Sequence, residues 1–103
     1  MARKNNYPPG SDLHRVAART HSCRRLYNRY DVIGHKLQRE LYDRHHREIE
    51  AGEGELIGTL KDGSQVIRLD GRFYAVWKPA LSMIVTYLTM AQVFKSLDLE
   101  FLL

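Results

Sequence analysis

The sequence predicts an α+β fold: two N-terminal helices packed on a four-stranded antiparallel β-meander, then an apolar C-terminal tail or short helix. Three observations carry this. Apolar residues recur at three- and four-residue steps as far as residue 51. Beyond residue 54 the period changes to short β-rich runs. Two Asp-Gly pairs, Asp62-Gly63 and Asp70-Gly71, separate those runs as hairpin turns. The chain divides into an arm over residues 1–10, one domain over 11–89, and a tail over 90–103 that packs on the core or on a partner.

Each element has a local reason. Pro8-Pro9-Gly10 stops regular structure in the arm, and Ser11 or Asp12 caps the first helix. Residues 12–29 read as that helix, with an apolar stripe of Leu13, Val16, Ala17, Thr20, Cys23 and Tyr27. The pattern breaks over Asp31–Gly34. A second helix runs from about 35 to 51, with Leu37, Leu41, His45 and Ile49 on one face and Tyr42 beside it. Gly52 and Gly54 end it.

The strands are expected at 55–60, 64–70, 72–78 and 82–89, with Pro79-Ala80 in the third connection. On the third strand Phe73, Ala75 and Trp77 share one face, and Arg72, Tyr74, Val76 and Lys78 the other. The second helix is too short to be stable alone, so both helices pack on the apolar face of the sheet. The first half of the tail suits a short helix. Leu99, Phe101, Leu102 and Leu103 are too apolar to remain in water, and the last three are candidate partner-binding residues.

Composition narrows the function. The chain has 103 residues, 44% apolar and 27% charged, which fits one domain with one modest core. No apolar run approaches the length of a membrane span, and no apolar segment succeeds the N-terminal charges as in a secretory signal. Cys23 is the only cysteine, which excludes an internal disulfide and a multi-cysteine zinc site. The expected location is the cytoplasm of a bacterial or phage-infected host cell. Net charge is +4 and uneven. Most of the Lys and Arg precede residue 48, where the only acids are Asp12, Asp31, Glu40 and Asp43. A basic half implies an anionic partner, RNA or an acidic host protein surface.

Phosphate-loop and HExxH patterns are absent. His45 and His46 are adjacent, so on a helix they point about 100° apart and do not share a metal. No cofactor and no metal are expected.

The stretch HSCRRLYNRY, residues 21–30, is the informative one. His21, Arg25 and Arg29 fall within about 80° on a helical wheel, opposite the apolar stripe and on the same side as His14. Cations at this spacing repel one another by a few tenths of a kcal/mol per pair. Water on an exposed face would compensate, and so would a polyanion.

The order His-x3-Arg-x3-Arg-Tyr, a second helix, the strand GELIG, a hairpin into GRFYAVW and a last strand IVTYL resembles small phage and bacterial proteins related to the barnase–EndoU–colicin–RelE group of RNase toxins. The resemblance covers roughly residues 21–88. It implies an N-terminal helix that supplies His21, Arg25, Arg29 and Tyr30, a middle strand that supplies Arg72, and a terminal strand that supplies Thr86. It implies metal-independent RNA cleavage, in which the 2′-hydroxyl attacks the adjacent phosphate. His21 is then the base or acid, Arg25 and Arg29 hold phosphate oxygens, and Thr86 donates a hydrogen bond or orients the base. Arg24, Arg72, Tyr74 and Lys78 are the expected nucleic-acid contacts, and Tyr74 and Trp77 the aromatic residues available for stacking. Packing in the core is the competing role for Trp77.

Two other functions fit the same features. One is a non-enzymatic effector, phage-encoded, that binds and inhibits a host protein. The other is an RNA- or DNA-binding module. Self-association through the tail is a further expectation.

Overall fold

The computed structural model describes residues 8–97. Its order is α1 (Asp12–Tyr30), α2 (His35–Glu50), β1 (Glu55–Thr59), β2 (Gln65–Leu69), β3 (Phe73–Lys78), β4 (Met83–Leu88) and α3 (Met90–Ser96). The predicted α+β architecture is the observed one. The four strands pair in sequence order, all antiparallel. Leu99, Phe101, Leu102 and Leu103, whose burial was expected, lie outside the described residues. No described helix is long and apolar enough to cross a membrane.

Ser11 caps α1 by accepting the His14 amide at 3.2 Å. The helix ends on Asp31, which takes a left-handed φ of 56° and turns the amide of Val32 onto the Leu26 carbonyl. In the β2–β3 turn Asp70 (φ 54°) and Gly71 (φ 69°) occupy the two left-handed positions of a primed turn, closed by Arg72 N–H to the Leu69 carbonyl at 3.1 Å.

The sheet is covered on both faces. Phe73, Ala75, Trp77, Ile67 and Leu69 pack with Leu26, Tyr42, Ile49, Ile84 and Tyr87 beneath α1 and α2. Val66 and Tyr74 pack with Val93 of α3 on the other face, with Leu88 and Leu97 against them. The alternation expected on β3 is therefore present in direction, although all of Phe73 to Trp77 is buried. Tyr74, Ala75 and Val76 pair in register with Leu88, Tyr87 and Thr86, and a shift between Val76 and Trp77 then brings Ile84 opposite Trp77.

Both helices are rotated from the sequence-based expectation. On α1 the buried residues are Ala18, Ser22, Cys23 and Leu26, whereas Leu13, Val16 and Tyr27 are more than half exposed. Only Cys23 belongs to both stripes. The helix is turned by roughly a third of a revolution, so the cationic stripe borders the buried face instead of opposing it. The cause is the last turn of α1, where polar side chains hold the edge of the sheet. Arg29 Nη1 donates to the Tyr87 carbonyl at 2.6 Å, and the Tyr30 hydroxyl donates to the Leu88 carbonyl. The same hydroxyl accepts the Tyr74 amide at 3.0 Å. Tyr30 thus bridges the end of the β3–β4 ladder. On α2 the rotation is smaller: Gln38, Tyr42, His45 and Ile49 are buried, and Leu37 is exposed. Gln38 donates to the Val32 carbonyl at 2.9 Å and Tyr42 to the Ile84 carbonyl at 2.8 Å.

A buried polar group anchors α2. The His45 ring has no exposed surface, and its Nδ1 and Nε2 lie 3.0 Å from Tyr87 Oη and 3.0 Å from Asp70 Oδ2. Arg44 grips the Asp70 carboxylate with two bonds, at 3.2 and 2.7 Å. That guanidinium first, and His45 second, hold the Asp70 pKa at about 2. An ionised Asp70 only accepts, so His45 Nε2 carries the proton and Nδ1 accepts from the Tyr87 hydroxyl. Burial lowers the His45 pKa below its ordinary 6.5 despite the bond to Asp70.

These contacts have consequences for stability. Tyr30→Phe leaves the Leu88 carbonyl and Tyr74 amide without their shared partner. An unpaired buried polar group costs about 1–3 kcal/mol, so urea unfolding should show a loss of that order, with Tyr27→Phe nearly silent. Acid acts through the buried histidine. The unfolded chain protonates His45 at a pH where the folded chain does not, so stability falls as pH drops below about 6.5. A second loss begins below the ordinary Asp70 value of 3.8 and extends to about 2 as that carboxylate is protonated. Thermal melts across this range, repeated on His45→Gln, should show the first step diminish.

Candidate functional site

Helix α1 packs against β4, the edge strand. One side of α1 therefore runs along the free edge of the sheet, and the side chains at residues 21, 25 and 29 stand there, one turn apart. Thr86 reaches the same edge from β4. His21 Nε2 lies 3.1 Å from Thr86 Oγ1, joining two residues 65 positions apart. His21 remains exposed at the mouth of this wall. Its pKa is lowered from 6.5, first by partial burial, then by Arg25, Arg29 and Arg24. The ring is neutral at pH 7. With Nε2–H donating to Thr86, Nδ1 carries a free lone pair.

Arg25 and Arg29 are half-buried and differ in what they hold. Arg29 is engaged on the Tyr87 carbonyl, so it fixes α1 to β4 and contributes charge at a distance. Arg25 Nε is buried with no partner among the described residues, and so is the hydroxyl of Ser22, which has no exposed surface. These are two unpaired donors within one turn of His21.

The other sequence-predicted contacts lie elsewhere. Tyr74 is buried beneath α3 with Val66 and Val93, so its ring has no face to offer a base. Trp77 is in the core, with its ring centroid 5.3 Å from that of His46. Lys78 is paired with Asp62 at 2.8 Å and bonded to Ser64. Arg72 is exposed, but its Nη2 donates to the Tyr30 carbonyl at 3.0 Å and its guanidinium covers the rings of Phe73 and Tyr30 at 4.7 and 5.6 Å. It buttresses the end of α1. Arg24 is exposed and lines a groove between α1 and α2. The expected set thus divides. His21, Thr86, Arg25 and Arg29 meet at the α1–β4 edge, while Tyr74 is covered by α3 and Lys78 is held by Asp62 and Ser64.

His45, Glu48 and Asp70 present donor atoms within 4.8 Å of one another, a spacing a metal ion would accept. Arg44 already bridges them, at 2.9 Å from Glu48 and 2.7 Å from Asp70. A guanidinium supplies the positive charge there, so the donor set does not fit a metal.

Comparison with known protein families, curated proteins and solved structures finds no match for this chain.

Ser22 gives a direct test of the wall. It is buried in a helix with no partner, and Ala is the better helix former by up to about 0.5 kcal/mol. Ser22→Ala should raise the melting temperature. A lowered one would show that the hydroxyl has an acceptor in solution.

Proposed function

We propose that the α1–β4 edge binds the phosphodiester backbone of RNA, and that His21 acts there as a general base in metal-independent cleavage. The observation that carries this reading is the His21–Thr86 contact beside Arg25 and Arg29. A neutral imidazole oriented by a hydroxyl, within a cationic wall, is suited to take a proton next to a phosphate.

The chemistry uses the groups present. His21 Nδ1 accepts the 2′-hydroxyl proton as that oxygen attacks phosphorus. The 5′-oxygen leaves and takes a proton from solvent. The products are a 2′,3′-cyclic phosphate and a 5′-hydroxyl. Arg25 stabilises the charge that develops on the non-bridging oxygens, and Arg29 adds to the field from its place on β4. Among the described residues nothing beside His21 is placed as a dedicated acid, so the reaction is a slow one. The partner is single-stranded RNA, because a helix edge with one imidazole reaches an exposed 2′-hydroxyl more easily than one within a duplex.

Cleavage of a fluorescent RNA oligonucleotide in chelator tests this. His21→Ala should reduce the rate by about 10²–10⁴ while leaving RNA affinity nearly unchanged. Arg25→Ala should weaken binding and lower the salt slope by about one. Thr86→Val should lower the rate with the fold intact. Because the His21 pKa is below 6.5, the rate should fall only at pH values beneath that, and Arg25→Ala should move this limb upward. RNA binding with no cleavage by the wild type would leave a nucleic-acid-binding module. Neither binding nor cleavage would overturn the proposal.

A further inference from the structure

The far side of α1 carries a second surface. Leu13, Val16, Thr20 and Tyr27 lie within about 60° of one another on the helix, and the three apolar ones are 59%, 60% and 53% exposed. Over a span of about 20 Å this is an apolar stripe without a partner among the described residues. Its C-terminal half opens into a groove of about 420 Å³ between α1 and α2. Buried Cys23 and Gln38 floor the groove, and Tyr27, Arg24, Arg39 and His35 stand around it. Among the described residues neither Arg24 nor Arg39 makes an ion pair. An apolar floor with a cationic rim fits an acidic, apolar segment.

Two stretches of this chain fall outside the described residues, and charge chooses between them. Residues 1–7 carry Arg3 and Lys4, which the rim repels. Residues 98–103, Asp-Leu-Glu-Phe-Leu-Leu, combine two acids with four large apolar side chains. The protein's own copy is badly placed to reach. Leu97 packs against Gly58 of β1, where its Cδ1 would come within 2.8 Å of an added Cβ. That is the opposite edge of the sheet from β4 and the face that α3 covers. Six residues extend at most about 20 Å, and they set out from the face that α3 covers, whereas the groove lies between the two helices on the other face.

We infer that the α1–α2 groove receives residues 98–103 of a second copy of this chain. Asp98 and Glu100 face Arg24 and Arg39, and Leu99, Phe101, Leu102 and Leu103 cover Tyr27 and the apolar stripe. Reciprocal exchange gives a closed two-fold dimer. The groove and the His21 edge are on different sides of α1, so RNA binding and self-association are separate properties.

Sedimentation velocity over a concentration series tests the inference on the full chain. The wild type should form a dimer. Arg39→Glu, an exposed change on α2 remote from His21, should weaken dimerisation by about tenfold or more. Asp98→Lys with Glu100→Lys should do the same. The combined charge swap should recover most of the loss, as directly paired charges do in a double-mutant cycle. A wild type that stays monomeric overturns the inference, as does a dimer indifferent to Arg39→Glu. Loss at Arg39 without recovery in the swap also overturns it, and gives the groove to another acidic occupant. Circular dichroism on each variant separates these outcomes from unfolding.

Discussion

The structure depends on how α1 is fastened to the free edge of β4. Edge strands expose unpaired backbone groups, and a fold must cover them or leave them to another chain. Here the cover is side-chain polar. Arg29 takes the Tyr87 carbonyl, and the Tyr30 hydroxyl joins the Leu88 carbonyl to the Tyr74 amide. These contacts fix both the distance and the rotation of the helix. With Arg29 and Tyr30 turned to the sheet, His21 two turns earlier meets Thr86, and Leu13, Val16 and Tyr27 are turned outward. The site and the apolar stripe are two consequences of one fastening.

The fastening is supported from beneath. Tyr87 offers its carbonyl to Arg29 and its hydroxyl to His45, while His45 reaches Asp70 in the β2–β3 turn. The Phe73 and Tyr30 rings meet at a centroid distance of 4.8 Å between these groups, and Arg72 covers both. A loss anywhere in this chain of contacts is felt at the α1–β4 seam, since partly satisfied buried polar networks are costly. A weakly basic His45 therefore couples the integrity of the seam to pH.

Element order was legible in the sequence because its signals are local. The Asp-Gly pairs and the change of period near residue 54 each act over a few residues, and the strands lie within one residue of their expected bounds. The short helix expected in the tail is α3, started by the Thr89–Gln92 capping box. Helix rotation was not legible. The apolar stripe of α1 was real, but Arg29 and Tyr30 oriented the helix against it, and hydrophobic periodicity gives no weight to a guanidinium that bonds to a carbonyl. The His21–Thr86 meeting came from resemblance in element order, not from any local signal. Strand alternation turns Tyr74 away from α1 and α2, yet α3 covers it there, and Asp62 engages Lys78. The His45–Asp70–Tyr87 network was hidden because the Asp-Gly turn alone accounts for Asp70. The available signal was His45 itself, since a histidine on a buried helix face requires an acceptor.

The fastening of α1 holds a neutral His21 against Thr86 within a cationic wall. Nitrogen-15 NMR of the His21 ring, followed through a pH titration, tests this most directly. The account predicts a pKa below the ordinary 6.5, a neutral ring protonated at Nε2, and loss of that tautomer preference in Thr86→Val. An unshifted pKa, with both tautomers populated alike in wild type and variant, would contradict it.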